Sequence, residues 1–167
     1  VPRQEARRRL DVSSEDRVVL FLGRIRPYKN VVPLIETFRN WEDNHARLLV
    51  AGNPVSRELT DAIEQAAERD SRARTVLQFI AEAEIPAYLG AADLVVLPYE
   101  TIMHSGSALL ALSFDRPVLV PERGAMKELQ DRVGAEWMRT YAGDLSPDVL
   151  ESSMTWAETA SRSTRAP

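Results

Sequence analysis

Six short apolar runs, each followed by a stretch patterned as a helix, constrain this chain more than any other feature. The runs are Arg17 to Leu22, Arg47 to Ala51, Thr75 to Ile80, Asp93 to Leu97, Pro117 to Val120 and Met138 to Tyr141. They alternate little between apolar and polar, so strands made from them must be covered on both faces. Between them Val31, Leu34, Ile35 and Phe38, then Leu59, Ile63, Ala66 and Ala67, recur at helical spacing. The pattern continues with Ile85 to Leu89, which has Pro86 in its first turn, Ala108 to Phe114, and Met126 to Val133. A last helix is introduced by the cap Ser146-Pro147-Asp148, and a short basic helix over Pro2 to Leu10 precedes everything. Strand and helix in alternation imply parallel pairing, because a parallel return needs a crossover long enough to hold a helix. The predicted class is α/β with a doubly wound, Rossmann-like parallel sheet. It should form one domain over residues 1–160, with a polar, frayed tail over residues 161–167.

Composition removes several kinds of function. The 167 residues are 44% hydrophobic and 28% charged, with a net charge of -4. That balance argues against a general nucleic-acid binder, which needs a basic face. There is no cysteine, hence no disulfide, thiolate chemistry or Cys-based zinc site. The two histidines, His45 and His104, are not spaced as a metal pair, so no metal held by the protein alone is expected. A reducing, cytoplasmic setting fits. No apolar run approaches the roughly 18 to 20 residues of a membrane span. The N-terminus Val1-Pro2-Arg3-Gln4 has neither a signal-peptide core nor an initiating Met, and the chain is expected to be a piece of a longer one.

Two turns carry chemistry. The first run ends in Gly23 and is followed by three cations, Arg24, Arg26 and Lys29. The fourth ends before Tyr99-Glu100-Thr101-Ile102-Met103-His104-Ser105-Gly106-Ser107, in which Ser105, Gly106 and Ser107 form a small-residue turn into a helix. Free N–H groups in such a turn face an anion, and Gly106 has no Cβ to hold a phosphate away. Taken alone, Ser-Gly-Ser fits a helix cap as well, and cations in turns are often simply solvated. Turns after parallel strands share one sheet edge, however, so the cations and Ser105 to Ser107 can converge on one anion, and a diphosphate is the natural candidate.

Other motifs are absent. The fingerprint Gly-x-Gly-x-x-Gly fails after the first strand, where Arg24 and Arg26 follow Gly23, and there is no P-loop. A nucleophile elbow would need glycine at Met103. His104 reads as a wall of the site or as a partner for a ligand hydroxyl. Glu100, leaving a strand end, can accept hydrogen bonds from sugar hydroxyls or stand solvated in its loop. Pro121 to Ala125 forms a second wall.

Gly23-Arg24 with Lys29, Leu49-Val50-Ala51-Gly52, Ala91-Ala92-Asp93 running to Pro98, and Arg116-Pro117-Val118 followed by Glu122 to Glu128 occur in order. This set resembles the C-terminal, donor-binding half of GT-B glycosyltransferases of the retaining family-4 type, over about Val18 to Val133. The resemblance implies that Arg24 and Lys29, beside Gly23, bind the donor diphosphate. It also implies that Ser105, Gly106 and Ser107 give N–H groups to it, and that the strand end near Phe79 and Ile80 flanks the base. Glu100 and His104 would lie toward the sugar as the catalytic candidates. One departure stands out: of the family's two glutamates, which have seven residues between them, the second falls at Leu110. The implied reaction is transfer of a hexose-like sugar from a UDP- or GDP-linked donor to an acceptor hydroxyl, with retention and no required cofactor or metal. It would need an N-terminal acceptor-binding domain of the same protein, whose missing half could also supply peripheral membrane association. Two alternatives are a non-catalytic nucleotide-sugar-binding module and a flavodoxin-like regulatory or interaction domain.

Overall fold

Arg17 to Leu22 is buried at five of its six positions because it runs through the middle of a sheet with strands on both sides. The computed structural model describes residues 1–100 and 106–160. Its elements are α1 (Arg3–Arg9), β1 (Arg17–Leu22), a short 3-10 turn (Pro27–Lys29), α2 (Val31–Arg39), β2 (Ala46–Ala51), α3 (Arg57–Glu68), β3 (Ala73–Val76), α4 (Ile85–Ala91), β4 (Leu94–Val96), α5 (Gly106–Ser113), β5 (Val118–Pro121), α6 (Ala125–Val133), β6 (Met138–Tyr141) and α7 (Pro147–Ala160). The strands form one six-stranded sheet in the order β3-β2-β1-β4-β5-β6, and each neighbouring pair is parallel. This is the doubly wound order expected of a Rossmann-like sheet, and it differs from the flavodoxin-like order 2-1-3-4-5.

The predicted third strand is displaced. Apolar content points to Thr75 to Ile80, but β3 pairs only from Leu48↔Ala73 to Ala51↔Val76. It is an edge strand with β2 as its one neighbour, and β2 ends at Ala51. The Gly52 N–H donates to the Val76 carbonyl at 3.0 Å, and the ladder stops there. Residues 77–80 therefore leave the sheet, and their apolar side chains become available to a cavity.

Local chemistry sets the helix starts. The Ser56 hydroxyl accepts from Leu59 N–H at the head of α3, and the Ser146 hydroxyl accepts from Val149 N–H at the head of α7. α1 is fixed by Arg7, which is 3% exposed. Its guanidinium donates to the carbonyls of Ser13 and Asp16 and to Asp93 at 2.8 Å, while the same Asp93 oxygen accepts from Val18 N–H. This clamp sits at the amino ends of β1 and β4, leaving their carboxyl ends free. Among the described residues, no helix is long and apolar enough to cross a membrane.

Candidate functional site

The strand order reverses between β1 and β4, so the chain leaves their carboxyl ends in opposite directions and a crevice opens between the two loops. These are the two turns that carry chemistry in the sequence. They approach closely: a Cβ on Gly23 would lie 2.7 Å from the Ser107 hydroxyl oxygen and 3.8 Å from Lys29 Nζ. Gly23, Lys29 and the first turn of α5 therefore meet at one place. Gly106, the first residue of α5, is exposed, and among the described residues no other element comes within 4 Å of where its Cβ would stand. His104 and Ser105 lie outside the described residues.

The place is electropositive. Lys29 is half-buried, with Nζ 5.3 Å from the centre of the Tyr99 ring. Tyr99 is braced edge-on by Phe21 and Tyr28. Burial first, then Arg26, then Arg24 push the Lys29 pKa below its ordinary value. Among the described residues no carboxylate lies on the other side of that balance, which is the condition of a cation group built to receive an anion.

Three contacts hold the two loops in register. Asn30 adopts the left-handed conformation at φ 57°, which Asn tolerates better than most residues, and its amide donates to the Pro98 carbonyl at 3.0 Å. Ile25 N–H donates to the Asn53 carbonyl and Val55 N–H to the Ile25 carbonyl, so the loop after β2 supports the loop after β1. Gly52 is the contact point: a Cβ there would lie 1.8 Å from the Gly23 carbonyl oxygen.

Two cavities lie along these loops, one at the junction and one beside Asn30 and Pro98. One, of about 160 Å³, is lined by Leu22, Gly23, Arg24, Gly52, Asn53, Phe79, Ile80, Ile85, Ser107 and Leu110. Phe79 and Ile80 thus reach the site from the segment after β3 rather than from a strand end, and Phe79 is 76% exposed. The other, of about 270 Å³, lies among Asn30, Thr37, Tyr99, Glu100, Arg123, Tyr141 and Asp144. Arg123 donates to the Glu100 carbonyl at 3.0 Å, holding Pro121 to Ala125 against the loop after β4 as a second wall. Burial pushes the Tyr141 phenol up to about 12, so it remains a hydrogen-bond donor at neutral pH. The first cavity is largely apolar, cations stand beside it, and the second offers mixed donors and acceptors.

Residues 16–146 match the family model described as glycosyl transferases group 1. The chain belongs to that family. It is 34% identical over 144 residues to a GDP-mannose:glycolipid 4-beta-D-mannosyltransferase of Xanthomonas campestris pv. campestris, covering 86% of this chain. It spans only 41% of that relative's length. Among solved structures, Anabaena HepE in complex with UDP-glucose superposes with a TM-score of 0.74 at 19% identity, covering 95% of this chain and 45% of that one. The C-terminal domain of the group 1 glycosyl transferase LpcC from Francisella tularensis gives 0.71 at 21% identity, covering 96% of this chain and 87% of that domain. The GT-B-type fold is shared with both, and the flavodoxin-like alternative falls.

Sequence reasoning missed Asn30, Asn53, Tyr141 and Asp144, and placed Arg123 in the second wall without its bond to the Glu100 carbonyl. Asn30 carried a signal: an Asn directly before an apolar helical run marks a left-handed entry. Arg123 carried none, because its partner is a backbone carbonyl on a different loop.

Proposed function

We propose that this chain is the donor-binding half of a glycosyltransferase that moves a hexose-like sugar from a nucleotide diphosphate sugar to an acceptor hydroxyl. The observation that carries the reading is the meeting of Gly23, Lys29 and Ser107 at the switch point of the sheet, between an apolar and a polar cavity. In this reading the base lies against Phe79 and Ile80. The diphosphate lies on Arg24, Lys29 and the opening of α5 at Gly106 and Ser107, with Ser105 extending the same turn. The sugar projects toward Glu100, His104 and Arg123. Cations and helix N–H groups stabilise the departing diphosphate without a required metal. A GDP-linked hexose is the donor that the Xanthomonas relative favours.

Retention follows from the family-4 resemblance, but the relative's name favours a second reading of the stereochemistry. That name specifies a β-linked product, and hexose donors whose sugar is α-linked to the diphosphate reach a β linkage by inversion. NMR of the product's anomeric centre separates the two.

Calorimetry with GDP and UDP tests the site. Charge-assisted hydrogen bonds contribute roughly 1.5–3 kcal/mol each, so Arg24→Ala and Lys29→Ala should each weaken binding by about 10- to 100-fold. If both variants bind like the parent, the diphosphate lies elsewhere.

A further inference from the structure

Resting on the donor-site reading above, we propose that the nucleotide's ribose hydroxyls are left without a strong partner. The site would then accept 2′- and 3′-deoxynucleotides nearly as well as ribonucleotides, with Leu110 as the residue that sets this tolerance. The ribose joins the phosphates to the base, so it must lie between Ser107 and the apolar group Phe79, Ile80 and Ile85 within the 160 Å³ cavity. Ser107 and Leu110 are three residues apart on α5 and so share one face of the helix. The side chain met next after the phosphate turn is therefore a leucine. It is half-buried against the core and cannot accept a hydrogen bond.

The rest of the wall does not compensate. Among the described residues no carboxylate lines this cavity, and its polar side chains are Arg24, Asn53 and Ser107. Arg24 and Ser107 are engaged by the diphosphate. Asn53 is an exposed residue on the loop after β2; its backbone carbonyl accepts from Ile25 N–H at 3.0 Å, and its side-chain amide is a neutral group open to water, so a bond from it to a hydroxyl only replaces one to solvent. A hydroxyl in that position keeps its water, and removing it forfeits little. By contrast, a site built to hydrogen-bond a hydroxyl strongly rejects an analogue lacking it, because buried protein groups are then left unpaired.

The test is calorimetry of GDP and UDP against their 2′-deoxy and 3′-deoxy counterparts, on the parent chain and on Leu110→Glu and Leu110→Gln. Affinities of ribo and deoxy ligands for the parent should agree within about threefold, well below the loss expected from one charge-assisted bond. Leu110→Glu should create discrimination on the order of 10- to 100-fold, and Leu110→Gln a smaller preference of the same sign. The glutamine variant keeps the test open if the buried part of a glutamate hinders folding, and melting curves report on that. Parent discrimination above about tenfold would overturn the inference while leaving the donor site standing, as would folded, ligand-binding variants with an unchanged ratio. Failure of every nucleotide to bind the parent would overturn the donor site, and this inference with it.

Discussion

Lys29 is an amine whose charge is disfavoured on balance despite the Tyr99 ring beside it: burial, Arg26 and Arg24 lower its pKa from the ordinary 10.5. An unfolded chain holds that proton more tightly, so a stability cost is present at neutral pH and is lifted as pH rises toward 10.5. A bound diphosphate reverses the sign. It raises the bound-state pKa above the free-state value, so binding takes up a proton between the two. Affinity is full below the free-state pKa and falls as pH climbs to the bound-state one. We expect nucleotide diphosphate affinity to decline as pH rises through the lowered free-state pKa of Lys29 toward the raised bound-state one, with proton uptake visible as a buffer-dependent binding enthalpy. Lys29→Met should bind weakly and lose that dependence; a decline that persists unchanged in Lys29→Met would place the titrating group elsewhere. Residues of this kind were legible because their own type states the chemistry, as for Arg24, Lys29 and Ser107. Asn30 and Arg123 act on carbonyls of Pro98 and Glu100, and a backbone acceptor leaves no mark on the residue that carries it.

The two loops of the site are joined directly by Asn30 to the Pro98 carbonyl and by Glu100 N–H to the Tyr28 carbonyl, and the loop after β2 supports them by lying against the loop after β1. Gly52 makes that approach possible, since any Cβ would run into the Gly23 carbonyl, a backbone group that cannot swing aside. Gly52→Ala should therefore lower stability by about 1–3 kcal/mol, as overpacking does, and should also weaken nucleotide binding by displacing Gly23 from Ser107 and Lys29. Gly134→Ala is the control: its φ is +92° with open space around it among the described residues, and it lines neither cavity, so it carries backbone strain of about 1–3 kcal/mol away from the site. Thermal melts with parallel calorimetry compare the two, and a Gly52→Ala protein that melts and binds like the parent would refute the coupling. Elements were legible wherever burial covered both faces, as in β1 and β2. β3 was misplaced because the extent of an edge strand follows its neighbour's length, whereas Leu77, Phe79 and Ile80 are apolar on account of a cavity. The strand order itself was not legible. Alternation of strands and helices fixes parallel pairing, but not the point where the winding reverses, and that point is what brings the two turns together.

On the scale of the whole molecule, every feature assigned to the donor lies on one edge of one sheet. Transfer needs more than that edge. The donor's anomeric carbon and an acceptor hydroxyl must be held within roughly 3–3.5 Å of each other, with water kept out. The mixed cavity beside Glu100 and Arg123 can position a sugar, yet Glu100, Arg123 and Asp144 are exposed, so water reaches the place where transfer would occur. The chain also spans less than half the length of its mannosyltransferase relative. We expect this chain alone to bind nucleotide diphosphates and to transfer no sugar, and a longer protein carrying an upstream domain to transfer it. The experiment is an assay of labelled GDP- and UDP-sugars with both proteins, with and without chelator. Transfer by the isolated chain would place an acceptor site within these 167 residues and end the half-enzyme reading. Binding without transfer in both proteins would identify a non-catalytic module. Transfer by the longer protein that chelator abolishes would overturn the metal-free route, because Arg24, Lys29 and the first turn of α5 would then be insufficient to stabilise the departing diphosphate.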